Sequence, residues 1–196
     1  MAHPEGTRAV RVGVVLARPP DELGGWLADA AAFEAAGADA LCLDAAPEPE
    51  LDPLALTAAL AAVTFRSLLI TGLPAAEGPA VAATLGTIGR LSHGRLRILA
   101  DAIPPGELAD IALRLGVFRR LSRDPEVFEH TRAREEAERW ISVPSPDSRA
   151  AWRQTLLDAS GRGPAGLLVP AGPRLLDILR NPDDHGGRGD LQLAQG

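Results

Sequence analysis

Gly78-Pro-Ala-Val-Ala-Ala-Thr-Leu-Gly-Thr-Ile-Gly-Arg-Leu-Ser-His-Gly-Arg-Leu-Arg-Ile98 reads as one helix feeding directly into one strand. Pro79 suits a first helical turn, where its missing N–H costs nothing. Val81, Leu85, Ile88 and Leu91 recur at three- and four-residue spacing, which gathers them on one helical face. Gly94 stands where a helix takes a left-handed terminator, and Leu96, Ile98 and Leu99 open an apolar run. The same order repeats upstream. Residues 11–17 read as a strand, 20–36 as a helix, 40–44 as a strand, 52–64 as a helix and 67–73 as a strand. Leu23, Trp26, Leu27, Ala30, Phe33 and Ala36 line one face of the first helix, and Asp52 with Pro53 caps the second. The strands are apolar throughout rather than alternating, the pattern of a parallel sheet buried on both faces.

After Ala102 the pattern loosens. Pro104-Pro105 breaks the chain, and residues 107–115 form a short helix with Leu108, Ile111, Ala112 and Leu115 facing inward. Val117–Leu121 is ambiguous. Asp124-Pro125-Glu126 opens a charged helix reaching about Arg139, with Glu135 and Arg139 spaced to pair along a solvated face. Residues 140–143 suggest a strand, Asp147 caps a helix holding Trp152, Leu156 and Leu157 that ends at Gly161, and residues 166–169 are a buried strand. Pro173–Arg180 is a last helix, and from Asn181 the chain cannot bury apolar surface. The expectation is an α/β chain: one domain over residues 1–180, a tail over 181–196, and a parallel (β/α) barrel of the TIM type. At 196 residues it is short for a complete barrel of about 250 and fits roughly six strand–helix units. An incomplete barrel leaves unpaired edges, which predicts a homodimer or another partner that covers them.

Composition narrows the field. The formal charge is −6, every basic residue is Arg, and neither Lys nor Tyr occurs. With no basic block, nucleic acid is not the expected partner. No apolar run reaches membrane-span length and no signal-peptide pattern opens the chain, so the expected location is the cytosol. Cys42 lies in an apolar strand and reads as a packed thiol. His3, His93, His130 and His185 show no ligand spacing, and no metal site is expected.

Val12-Gly13-Val14-Val15-Leu16, Phe33-Glu34-Ala35-Ala36-Gly37-Ala38-Asp39-Ala40-Leu41, Asp52-Pro53-Leu54, Ala61-Ala62-Val63-Thr64 and above all Leu91-Ser92-His93-Gly94-Arg95-Leu96 carry a resemblance. Over its first half the chain resembles the bacterial luciferase-like flavin monooxygenases and their deazaflavin-dependent relatives. The resemblance implies a barrel, FMN or a deazaflavin as coenzyme, and a dimer formed through the second and third helices.

In a parallel barrel, function gathers at the C-terminal strand ends. That rule selects Ala17-Arg18, Asp44-Ala45-Ala46, Thr71-Gly72-Leu73, Asp101-Ala102 and Pro170-Ala171-Gly172. Asp44 is the catalytic candidate, a carboxylate placed to orient a ring or accept a hydrogen bond. The resemblance puts a catalytic histidine where Ala45 stands, and a methyl group cannot move a proton. It also implies a cofactor cradle at Thr71, Gly72 and Leu73, with a strained cis peptide supporting the flavin ring; a plain turn is the alternative. Asp101 stands where the family keeps a small neutral residue, and Gly78 where it keeps a histidine. Gly172 and Arg174, at a helix N-terminus after a buried strand, suit the phosphate of a cofactor. An ordinary strand–helix turn serves as well.

Two functions stay open. One is a flavin- or deazaflavin-dependent oxidoreductase of the monooxygenase type. The other is a degenerate relative that binds flavin without turnover or serves as a structural or regulatory dimer partner, and a shortened non-luminescent flavoprotein among the luciferase relatives gives it precedent.

Overall fold

The computed structural model describes residues 9–16, 22–43, 51–73, 78–133 and 135–182. Ala17, Arg18, Asp44, Ala45, Ala46, His3 and His185 lie outside them. The elements in chain order are β1 (Arg11–Leu16), α1 (Leu23–Ala35), β2 (Ala40–Leu43), α2 (Pro53–Val63), β3 (Leu68–Gly72), α3 (Pro79–Leu91) and β4 (Leu96–Ala100). Then come α4 (Glu107–Leu115), β5 (Val117–Arg123), β6 (Glu126–Thr131), β7 (Glu138–Ser142), α5 (Arg149–Arg162), β8 (Gly166–Pro170) and α6 (Pro173–Arg180).

The eight strands close in sequence order, with β8 back against β1 through Arg11↔Gly166 to Val15↔Pro170. This corrects the expected shortened, all-parallel (β/α) barrel. The cylinder is complete and mixed: β5–β6 and β6–β7 are antiparallel, and the other pairings are parallel. Closure leaves no free edge at the β1–β8 seam, so the unpaired-edge argument for a homodimer falls.

The misreading lies in residues 124–139. The expected charged helix is instead a hairpin and a third strand, because the chain there alternates with period two. Phe128 and His130 turn into the barrel while Glu129 turns out, opposite Arg119 on one side and Arg139 on the other. Arg119 and Glu129 pair at 3.1 Å. Of the two charges expected to pair along a helix, Arg139 stands in a row with Glu129 and Arg119 across three strands, whereas Glu135 lies in the β6–β7 connection and pairs with Arg132 at 3.2 Å; the outer face of these strands has no helix of its own between α4 and α5.

The upstream grammar holds, with small shifts. Asp52 accepts from the N–H of Leu54 and Ala55 to cap α2. On α3 the buried face is Ala82, Leu85 and Ile88, whereas Leu91 is exposed. Ser148 rather than Asp147 caps α5, accepting from Ala151, and the helix runs on to Arg162 before left-handed Gly163. No helix among the described residues is long and apolar enough to cross a membrane.

Two layers of core follow. Val14, Leu41, Leu69, Leu96, Ile98, Leu167 and their neighbours face outward against the helices. Ala40, Cys42, Ile70, Leu99, Phe118, Phe128, Trp140 and Leu168 fill the barrel itself. Trp140, 0% exposed, occupies its axis, and Phe118 meets it edge-on at 5.4 Å between ring centroids. Gly166 makes room: a Cβ there would fall 2.4 Å from the indole.

The residues that carry the family resemblance do structural work. The Glu34 carboxylate accepts from the N–H groups of Phe65, Arg66 and Ser67 at 2.7–3.0 Å. Burial pushes its carboxyl up, but these hydrogen bonds outweigh burial and hold it below the ordinary range. Arg95 donates to the Ser67 and Thr64 carbonyls at 2.9 and 2.7 Å, and Asp39 accepts from Val12 N–H at 2.7 Å. Glu34 and Arg95 thus lock the turn between α2 and β3, and Asp39 ties the start of β2 to β1.

Candidate functional site

At the C-terminal end of the barrel, where the sequence places the cofactor, side chains of the neighbouring strands β4, β5 and β6 pair. Arg120 on β5 donates to Asp101 at 2.9 Å, pairs with Glu126 at 2.9 Å, and lies 5.6 Å over the Phe128 ring. Arg123 reaches the other Asp101 oxygen at 2.9 Å. Asp101 therefore does not confront the mouth as a bare carboxylate; two guanidinium groups neutralise it.

The predicted cofactor residues do not converge. Alternation along β3 sends Ile70 and Gly72 inward, so Thr71 faces the helix layer, fully buried, with its hydroxyl on the Gly72 carbonyl at 3.3 Å. Leu73 packs outside the barrel with the α2–α3–α4 cluster. The one cis peptide among the described residues joins Asp124 to Pro125, and Gly72–Leu73 is trans. Gly172 caps α6 in extended conformation. Arg174, largely exposed, donates to the Asp147 carbonyl at 3.2 Å. Asp44 lies outside the described residues.

The opposite, N-terminal end holds a cluster that sequence reasoning missed. Arg11 of β1, Arg97 of β4, His130 of β6, Glu138 of β7 and the Trp140 indole share the barrel interior there. Arg11 donates to Glu138 and lies 4.9 Å over the Trp140 ring. His130 Nδ1 is 3.3 Å from Glu138 Oε2, and its ring stacks on Phe118 at 4.6 Å. Arg97 Nη1 donates to the Gly94 and Leu96 carbonyls, each at 2.8 Å. Burial lowers Arg97 to about 10; Arg132 and Arg11 add to that, while Glu135 and Glu138 oppose it. Burial also lowers His130, against the pull of Glu138. Burial raises the Glu138 carboxyl, but hydrogen bonds from Arg11 and His130 outweigh it and hold the group low. At neutral pH the cluster thus holds two cations, one anion and a neutral imidazole.

The signal for this cluster was present in the chain as period two: Phe128 and His130 on one strand, Glu138 and Trp140 on the next. Reading a helix across 124–139 scattered those residues. Among the described residues no group of His, Cys, Asp or Glu could hold a metal ion. No protein-family model matches the chain, and no curated protein matches it significantly.

Proposed function

We propose that this chain is a divergent, non-catalytic relative of the luciferase-like proteins, acting as a structural or regulatory dimer partner rather than as an oxidoreductase. The observation carrying the proposal is that the strand-end residues a coenzyme would need are turned away or already paired. Trp140, Phe118 and Phe128 pack the barrel interior, and at its C-terminal end Arg120 and Arg123 hold Asp101 on the side of β4 and β5. A flavin or deazaflavin ring needs open strand ends and free donors. Among the described residues the Thr71 hydroxyl faces away and Arg174 already donates to a backbone carbonyl. These residues do not fit the coenzyme, so no step through it is derived.

The partner surface on this reading is α2 with α3. Helix α2 contains no charged residue, and α3 contains one, Arg90. Ala55 and Ala62 of α2 and Ala83, Thr87 and Leu91 of α3 are exposed, and Phe65 beside α2 is 76% exposed. An outer barrel helix bathed in water normally carries charges on its far face, so this uncharged pair of helices suits a second copy of the chain.

The test pairs sedimentation with titration. The expected result is a dimer that Ala62→Glu converts to a folded monomer, with no saturable absorbance change up to high micromolar FMN or deazaflavin. A monomeric wild type refutes the partner reading. Saturable flavin binding with oxidation of the reduced coenzyme restores the oxidoreductase.

A further inference from the structure

We infer that β5, β6 and β7 form one hinged wall of the barrel, which swings away from the parallel strands at its N-terminal end when His130 takes a proton. The three strands follow one another with no helix between them, and β6 is laddered only to β5 and β7. The wall meets the parallel strands through the two shortest ladders of the cylinder. These are Ile98↔Val117 to Ala100↔Arg119 on one side and Trp140↔Gly166 to Ser142↔Leu168 on the other. The wall also carries the aromatic filling of the interior, Phe118 from β5, Phe128 and His130 from β6, and Trp140 from β7. Phe118 stacks on His130 and meets Trp140 edge-on, so these rings move as a block. The facing strands present Ala40, Cys42, Ile70, Leu99 and Leu168.

The two ends of the wall are held differently. At the C-terminal end Arg120 and Arg123 each donate to Asp101 at 2.9 Å, which pins the wall to the residue after β4. At the N-terminal end the tie to β1 is the ion pair of Arg11 with Glu138, and the same Glu138 oxygen is 3.3 Å from His130 Nδ1. Water reaches this end, because Glu138 lines a cavity of about 630 Å³ together with Val10, Arg139 and Ala165. His130 itself is 4% exposed. Its Nε2 has no hydrogen-bond partner among the described residues and lies against Gly116, where an added Cβ would fall 3.2 Å away. The Gly116 carbonyl is taken by the Ile98 N–H at 2.9 Å.

A proton on Nε2 therefore meets no acceptor, and a buried charge without one is expensive. The groups facing the ring are Arg11 from β1, Arg97 from β4 and Glu138 from β7, with Arg132 and Glu135 of the β6–β7 connection acting on Arg97. From β5 the ring meets Phe118, Arg120 being held at the other end, and β8 has no charged residue. Protonation sets a third cation beside Arg11 and Arg97 against the one carboxylate of Glu138, since Glu135 pairs with Arg132 at 3.2 Å. Moving the ring into water removes both costs, and its strand is the middle one of the wall. Burial holds the enclosed imidazole below its ordinary value of 6.5. The closed wall thus binds the proton less readily than the open one, and acid favours opening by at most about tenfold per pH unit for one proton.

The experiment is amide hydrogen exchange of the full chain, read by mass spectrometry at pH 7.5, 6.5 and 5.5 with a low-urea series at each, and corrected for the intrinsic pH dependence of exchange. Peptides from residues 117–142 should open more readily than those of β1, β2 and β3 and with a weaker urea dependence. Their opening should increase below pH 6.5 by up to about tenfold per unit. Cys42, the single cysteine and part of the interior, should react faster with a disulfide probe in acid, relative to a free thiol, again with a weak urea dependence. His130→Gln should remove the acid response of both readings; should it not fold, His130→Phe, which keeps a ring against Phe118, takes its place. Equal opening and equal urea dependence in the wall and in β1–β3 would mean unfolding of the whole chain and overturn the inference. So would a wall indifferent to pH, or an acid response that survives loss of the imidazole.

Discussion

Trp140→Ala removes the side chain that fills the barrel axis, and its cost measures how firmly the interior is packed. The indole is fully buried, touches Phe118 edge-on, stacks under Arg11, and has Gly13 and Gly166 against its ring. Strands on every side are tied into a closed cylinder, so the walls cannot collapse into the space left behind. Full-size truncation of a buried Trp costs about 3–5 kcal/mol, the upper part of that range when the site cannot relax. For a chain of this size each kcal/mol lowers Tm by about 2–4 °C, which predicts a drop of roughly 6–20 °C. The vacated space is apolar on the side of Leu168, Ile70 and Phe128, so indole should enter it. At a hundredfold excess over its Kd, indole returns about 2.7 kcal/mol. The assay is urea and thermal unfolding of wild type and variant, with and without indole. A loss below about 1 kcal/mol would show that the ring does not plug the barrel.

Two further outcomes follow from named contacts. Glu34→Gln replaces one of two acceptor oxygens with a donor facing the N–H groups of Phe65, Arg66 and Ser67. Hydrogen bonds to a charge are worth about 1.5–3 kcal/mol each, so chemical denaturation should report a loss of roughly 2–4 kcal/mol; a change within a few tenths would show that the carboxylate does not hold the turn. The pH profile of stability has a definite sign. His130, Glu34 and Glu138 all bind protons less readily folded than unfolded. The unfolded chain therefore takes up protons first, and stability is lost as pH falls below the ordinary histidine value of 6.5 and again below the carboxylate value of 4.5. His130→Gln should flatten the upper limb. Stability that stays level from pH 7.5 to 5.5, or rises on acidification, contradicts the burial of a neutral imidazole.

The first four strand–helix units were legible because each carries its own punctuation: Asp52-Pro53 and Pro79 at helix starts, Gly37 and Gly94 at helix ends. Local signals sufficed there because each βα unit is built from neighbours in sequence. The hairpin was not legible, since Asp124-Pro125-Glu126 is equally good chemistry for a helix start and for a tight turn. Its inward positions hold Arg120, His130 and Glu138, so the alternation that marks a strand was written in polar residues and looked like surface. The position of Thr71 shows a different limit. The end of β3 was legible, but with a period of two the choice of face depends on register, and neighbouring strands set it.

Closure has a kinetic consequence. Each strand from β1 to β8 meets its predecessor after at most one intervening helix, but the seam joins Arg11 to Gly166 across almost the whole described chain. Local units and the short hairpin repay their entropy early, whereas the seam must wait for both ends to be in place. Until then Trp140 has no lid of glycine above it and Arg11 no Glu138 to meet. The last pairing to form is thus the one that dries the interior, and the chain is either a sealed vessel or an open trough.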